Sequence, residues 1–314
     1  MNKKGFEFSF GWMFAIIAGA TILILAIYGV SKFIIGEERI SEGKTAQEID
    51  ILLKPLQTER EEASVGVIHL PQRMALRTGC TNEGNFGEQK INVETLKENS
   101  EEKGLNSTSY STYIFSEQRI EGNEIISFSK SFSFPYPVAS LTFLWSEDDR
   151  YCFVNPSSEI KEEFESLFIE GNLTKSIIIV DEQKKCPSKS ISVCFANTGC
   201  SVDVSLESKS VTKKRNVVYY EDSLIYGAIF SDPKTYECQV QRLFKRVSQL
   251  ALIYNGKSNE ISLRANGCSS ALQPLLVSFA NLTASVNSGA LREMTFLSKE
   301  LERGNNEIGN CKLF

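Results

Sequence analysis

Residues 150–182 read RYCFVNPSSEIKEEFESLFIEGNLTKSIIIVDE, and the way this stretch folds decides the architecture. An apolar strand ends at Val154. Pro156 with Ser157 or Ser158 then supplies a helix start, and Ile160, Phe164 and Leu167 share one face of the helix that follows. After Gly171 the run SIIIVD returns as a second apolar strand. Strand, helix, strand is a βαβ unit, which implies at least a locally α/β sheet. Asp181, at the end of the second strand, stands where α/β proteins place ligands, although a lone aspartate there first reads as a turn residue.

Upstream, SVGVIHLPQRMALRTGC (64–80) and QKINVETL (89–96) read as strands. Residues 111–145 alternate apolar and polar side chains as a β-meander, with Gly122-Asn123 as a turn. Ile126, Phe128, Phe132 and Phe134 fall on one face, which reads as packed sheet before it reads as a ligand platform. Downstream, KSISVCFANTGCSVDVSLES (189–208) reads as a hairpin turning at Asn197-Thr198-Gly199. NVVYYE (216–221) and SLIYGAIF (223–230) read as further strands.

The pattern then changes to helices. Asp232-Pro233 is a cap and first-turn pair, and Tyr236, Val240, Leu243, Val247, Leu250 and Tyr254 recur at spacings of four and three, ending before Gly256. Arg242, Lys245 and Arg246 lie off that stripe. They read as a solvated face, with an anionic headgroup or partner as the alternative. Two more helices, about residues 269–286 and 289–303, carry Leu272, Leu276, Phe279, Leu291, Met294 and Leu301, with Gly304 as a cap. The expected fold class is α+β: a mixed β-sheet domain with a local βαβ unit and a C-terminal helical layer.

The N-terminus adds a long apolar helix. From Phe8 to Ser31 there are 24 uncharged residues between Glu7 and Lys32. At 1.5 Å per residue they reach about 36 Å, beyond the roughly 30 Å of a bilayer's hydrocarbon core. A cleavable secretory signal has a shorter apolar region. Lys3 and Lys4 favour a cytoplasmic N-terminus, against the opposing Lys32, Arg39 and Lys44. Residues 36–62 are rich in helix formers and extend the span as a stalk to about residue 54, broken or kinked near Gly36 and Gly43.

Lys4-Gly5 directly before the apolar helix resembles the class III signal peptide of archaeal type IV pilins and archaellins. The resemblance covers about the first 35 residues. It implies cleavage after Gly5, Phe6 as the mature first residue, and an apolar helix that packs with other filament subunits. Bacterial-type prepilins carry glutamate at the fifth mature position; here that position is Phe10, and Glu7 stands at the second. The alternative is an uncleaved signal anchor.

All eight cysteines, Cys80, Cys152, Cys186, Cys194, Cys200, Cys238, Cys268 and Cys311, follow the apolar segment. Their even number fits up to four disulfides in an oxidising compartment. Cys268 is expected to join Cys311 across a helical hairpin, with local pairing among Cys186, Cys194 and Cys200. Sequons at Asn106, Asn172 and Asn281 are glycosylation candidates of the same compartment. No CxxC occurs, which leaves a zinc ribbon or a thioredoxin-type site unsupported.

The chain carries a net charge of −5, and no long basic block offsets it, so a nucleic-acid partner is not expected. Its single histidine, His69, lies in a strand-like run and is expected to be a core or sheet residue without catalytic duty. Gly256-Lys257-Ser258 lacks the rest of a P-loop. GxSxG, HExxH, GxGxxG and calcium-loop patterns are absent from the sequence. Glu147, Asp148 and Asp149 beside Trp145 read as a turn before a cation site. No catalytic, metal or cofactor residue is assigned, and no cofactor is expected.

The expected organisation is a leader (1–5), a transmembrane helix (6–35), a stalk (36–62), an external β-rich α/β domain (63–230) and a C-terminal helical subdomain (231–314). Such a chain is a single-pass membrane protein with a cytoplasmic N-terminus, the lipid bilayer as its first partner, and a structural, adhesion or assembly role outside. A tethered binding or sensor module is the alternative, and an anchored hydrolase a further one.

Overall fold

The computed structural model describes residues 10–53, 63–97, 100–101, 106–171, 176–195, 199–264, 268 and 270–314. The chain is mixed α+β, with an apolar N-terminal helix and two mixed sheets. Helix α1 (Phe10–Leu53) runs without a break through Gly36 and Gly43, where an interruption was expected. Its segment Gly11–Lys32 has a mean hydropathy of 2.4, and none of it is buried against the protein. Thr21 and Ser31 donate their hydroxyls to the carbonyls of Ile17 and Ile27 one turn back, which satisfies both polar groups within the helix.

The first sheet contains β1 (Ser64–Thr81), β2 (Glu88–Lys97), β3 (Ser100–Glu101), β4 (Asn106–Ser109), β5 (Ile114–Phe115), β6 (Arg119–Ser133) and β7 (Pro137–Ser146). Its order is β3-β2-β1-β6-β7-β5, with β4 also on the outer edge of β2. β5 lies parallel to β7, and the other pairings are antiparallel. β1 and β6 lose register between His69 and Met74, a stretch that contains Pro71 and its missing amide.

A turn was expected beside that irregularity, at Gly122-Asn123. Gly122 is not a turn but an interior residue of β6, opposite Met74. A Cβ there would stand 2.8 Å from Ser146 Oγ, which donates to the Glu121 carbonyl. The glycine serves a close cross-strand approach. His69 lies on β1, largely exposed, with Nδ1 3.0 Å from Glu124 Oε1.

The second sheet begins within residues 150–182. β8 (Tyr151–Val154) is followed by α2 (Ser158–Gly171) and β9 (Ile177–Val180), and the two strands pair in parallel. β10 (Ile191–Cys194), β11 (Val202–Ser205), β12 (Ser210–Lys213) and β13 (Asn216–Tyr219) complete the order β13-β12-β11-β10-β8-β9. β10 and β11 are parallel neighbours, with Val193 opposite Val202, so 189–208 is not the antiparallel hairpin expected. β11 runs in the same direction as β10, and Cys200, just before it, is disulfide-bonded to Cys194 at the end of β10.

Period-two alternation gives this sheet two different faces. Phe153, Ile177, Val193 and Val202 join the main core with Ile160, Phe164 and Leu167 of α2. Cys152, Val154 and Cys194 point the other way and pack with Val180, Cys186 and Cys200. Parallel strands are normally covered by helices on both faces. Here the outer face is covered by the Cys152–Cys186 and Cys194–Cys200 disulfides.

SLIYGAIF forms a helix, α3 (Leu224–Phe230), and not a strand. Every one of its residues is buried, so the segment is apolar all round and carries no periodicity to betray it. α4 (Pro233–Arg264) continues past Gly256, where a stop was expected; the space beside that glycine is open. α5 (Gln273–Thr283) and α6 (Leu291–Glu307) follow, and α6 passes through Gly304. A Cβ on Gly304 would stand 2.9 Å from Leu272, so this glycine admits a close contact instead of capping. One apolar cluster draws on both sheets and on α2 to α6, and the helices 231–314 form a layer on the same core.

Candidate functional site

The most marked departure from expectation lies on α4. Arg242 is fully buried, not solvated. Its guanidinium donates to the carbonyls of Thr112 (3.0 Å), Tyr110 (3.1 Å) and Phe86 (3.3 Å) and to Gln239 Oε1 (2.8 Å). It also lies 5.1 Å from the Tyr113 ring centroid. Burial lowers its pKa from the ordinary arginine value, with Tyr113 and Glu88 opposing that shift. Gly87, at φ +61, lets the arginine stem pass, because a Cβ there would meet its Cγ at 2.7 Å.

Gln239 extends this seam to the Ile114 carbonyl and to Gln89. Lys245 donates to the carbonyls of Asn82 and Gly84, and Arg246 to that of Val138. All three cations therefore fasten α4 to the first sheet and its loops. Long cationic side chains from α4 supply charged donors to these carbonyls.

A second polar assembly is open to solvent. A cleft of about 690 Å³ lies at the starts of β8, β10 and β11, beside the end of β12. It is the end opposite to Asp181, which is exposed and 3.7 Å from Lys185. Lys213 is the cleft's buried cation: Nζ stands 2.5 Å from Glu117 Oε1 and donates to the carbonyls of Ile229 and Ser231. Lys214 reaches the other Glu117 oxygen at 3.7 Å.

Asp149 and Asp203 complete the acidic lining. Asp203 accepts the amides of Gly199 (3.1 Å) and Cys200 (2.9 Å). Burial raises the Asp149 carboxyl above its ordinary pKa; Glu117 and Asp148 raise it further, while the Ser146 backbone and Lys213 oppose the rise. Burial likewise pushes the Tyr151 phenol far up. Asp149 is thus the cleft carboxyl whose charge is least supported, suited to donating a hydrogen bond when protonated.

The Glu147-Asp148-Asp149 run does not converge on a cation. Asp148 pairs with Arg73 at 2.8 Å, whereas Asp149 lines the cleft. Cys194, Cys200 and Asp203 bring three potential metal donors within 4.8 Å, but the disulfide consumes both sulfurs and the two amides engage the carboxylate.

The cysteines pair as Cys80–Cys238, Cys152–Cys186, Cys194–Cys200 and Cys268–Cys311, leaving no free thiol. Cys186 thus joins Cys152 instead of a near neighbour, because strand alternation turns Cys152 to the outer face beneath it. Asn106 begins β4. Asn281 is exposed on α5, while its sequon partner Thr283 is buried and bonded to the Phe279 carbonyl. Gly5, Phe6 and Asn172 lie outside the described residues.

Lys213 and Asp149 were not singled out as a pair by the sequence. The signal available was the Lys213-Lys214-Arg215 run, which ends one strand and forms the tip of the β12–β13 hairpin.

What the fold and clefts define is an α+β protein with an apolar N-terminal helix long enough to cross a membrane, and four disulfides. No protein-family profile, no curated protein and no solved structure matches the chain.

Proposed function

We propose that this chain is a single-pass membrane protein with a cytoplasmic N-terminus, whose disulfide-bonded domain stands outside the cytoplasm. Its role there is structural, adhesive or in assembly at the cell surface. In the sharper form it is a pilin-like subunit, cut between Gly5 and Phe6, with α1 packing against other subunits in the bilayer or filament. The observation that carries the reading is the Gly11–Lys32 helix, long, apolar and wholly unburied, on a chain whose eight cysteines are all paired. An apolar surface of that length needs lipid or other helices to cover it.

Mass spectrometry of the mature N-terminus, on protein from membranes containing a prepilin peptidase, tests the sharper form. Phe6 as the first residue supports it, and an intact Met1 removes it. Thiol alkylation of the unreduced protein tests the compartment: eight unreactive cysteines are expected, and eight reactive ones would place the domain in a reducing environment.

A second reading, a tethered binding or sensor module, is favoured by the inter-sheet cleft with its weakly supported Asp149. An anchored hydrolase is less favoured, because Glu117 is engaged by Lys213 and Asp203 by two backbone amides. Among the described residues lining the cleft, that leaves no second uncommitted carboxylate beside Asp149 for acid–base work.

A further inference from the structure

Between the β11–β12 turn and the end of β13 on one side and α6 on the other lies a separate groove of about 370 Å³. Its floor contains the buried Leu291 and Tyr220. One wall is α6, whose Arg292, Thr295, Phe296 and Lys299 follow the i, i+3, i+4, i+7 spacing of a single helix face. Phe296 is 71% exposed. Arg292 and Lys299 are exposed and carry no ion pair or hydrogen bond among the described residues. The facing wall holds Tyr219, 41% exposed, and the paired Lys209 and Glu221.

The facing wall is set in place in advance. The Tyr219 amide donates to Ser288 Oγ at 3.3 Å, and its carbonyl accepts the Tyr236 hydroxyl at 2.6 Å. Ser288 is itself held by Glu237, through its amide at 3.0 Å and through its hydroxyl. These bonds fix the Tyr219 backbone, so the point from which its ring projects is set before a ligand stacks on it. Lys209 adopts φ +48, an uncommon conformation for a side chain other than glycine, and its ammonium meets Glu221 at the groove.

The same bonds narrow the kind of ligand. A peptide adding a strand would need the free backbone groups of a sheet edge, but both groups of Tyr219 are already engaged. What the groove offers instead is two exposed aromatic rings, a donor and acceptor pair in Lys209 and Glu221, and two unpaired cations. The lining has three cationic side chains (Lys209, Arg292, Lys299) against two acidic ones (Glu207, Glu221).

We infer that this groove binds an acidic saccharide. The apolar face of a pyranose lies on Phe296, its hydroxyls meet Lys209 and Glu221, and its carboxylate pairs with Arg292. The assignment is independent of membrane topology and of cleavage after Gly5.

Calorimetric titration of the full chain in phosphatidylcholine nanodiscs, disulfides intact, tests it with tetragalacturonate, maltotetraose and tetraglutamate as probes. Tetragalacturonate is expected to bind, with maltotetraose about tenfold weaker or worse, and Phe296→Ala and Arg292→Gln each weakening the uronate by about tenfold. Both substituted residues are exposed, so unchanged thermal unfolding is expected to accompany the loss. Equal affinity for the acidic and neutral sugars, no binding of tetragalacturonate, variants that bind it as the parent does, or tighter binding of tetraglutamate would each overturn the assignment.

Discussion

Cys80 on β1 and Cys238 on α4 are bonded across 158 residues of sequence, and this link ties the first sheet to the helical layer. It stands near the polar seam in which Gln239 and Arg242 engage the same region of the sheet.

Loss of this bond should cost far more than loss of a local one. In the chain-entropy account a loop of that length is worth about 5 kcal/mol, and the six-residue separation of Cys194 and Cys200 about 2 kcal/mol. Chemical unfolding of the Cys80→Ser/Cys238→Ser and Cys194→Ser/Cys200→Ser pairs is expected to preserve that ranking. The reverse order would show that covering the outer sheet face matters more than closing the long loop.

Arg242 is expected to tolerate no substitution well. Arg242→Met keeps the stem but leaves three carbonyls and Gln239 Oε1 without their donor, a loss of about 3 kcal/mol in urea unfolding. Arg242→Lys should recover less than half, because one ammonium cannot reach carbonyls arranged around a planar fork. Wild-type stability in the lysine variant would contradict the fork geometry.

Gly227 in α3 packs directly on the Phe115 ring, where a Cβ would stand 2.6 Å from the nearest ring carbon. Gly227→Ala gains about 1 kcal/mol of helix propensity but is expected to lose about 2 kcal/mol or more to overpacking, and so to destabilise overall. Phe115→Leu in the same chain should remove part of that penalty. A double mutant showing simple additivity would separate the two residues.

Asp149 makes stability depend on pH in a defined direction. Its folded pKa is raised, so the folded state holds its proton more tightly than the unfolded one. The stabilisation is fully present below the unfolded value and is lost as pH rises through the folded value. Asp149→Asn should therefore remain the more flatly stable of the two as pH increases from acid to neutral. Parallel thermal midpoints for parent and variant across that interval would dismiss the shift.

Much of the fold could be read along the chain, and the reasons are local. Ile160, Phe164 and Leu167 declare α2 by spacing, and Tyr236, Val240, Leu243 and Val247 declare the buried side of α4. α3 was hidden because a helix buried on every side has no polar face. The parallel direction of β10 and β11 is not legible locally, because the same alternation suits either pairing direction, and the structure places β11 parallel to β10 as β10 is to β8.

The apolar span, the helix faces and the strand alternation can be read from the chain alone, since each depends on neighbours within one or two turns or strands. Where the polar groups went depended on packing between distant segments. Arg242 looked solvated because its spacing set it off the apolar stripe, yet the carbonyls it serves lie as far as 156 residues away. Lys213 and Asp149 become a cleft only when two sheets meet. A polar side chain's partner is chosen by proximity in space, and no period in the sequence encodes it.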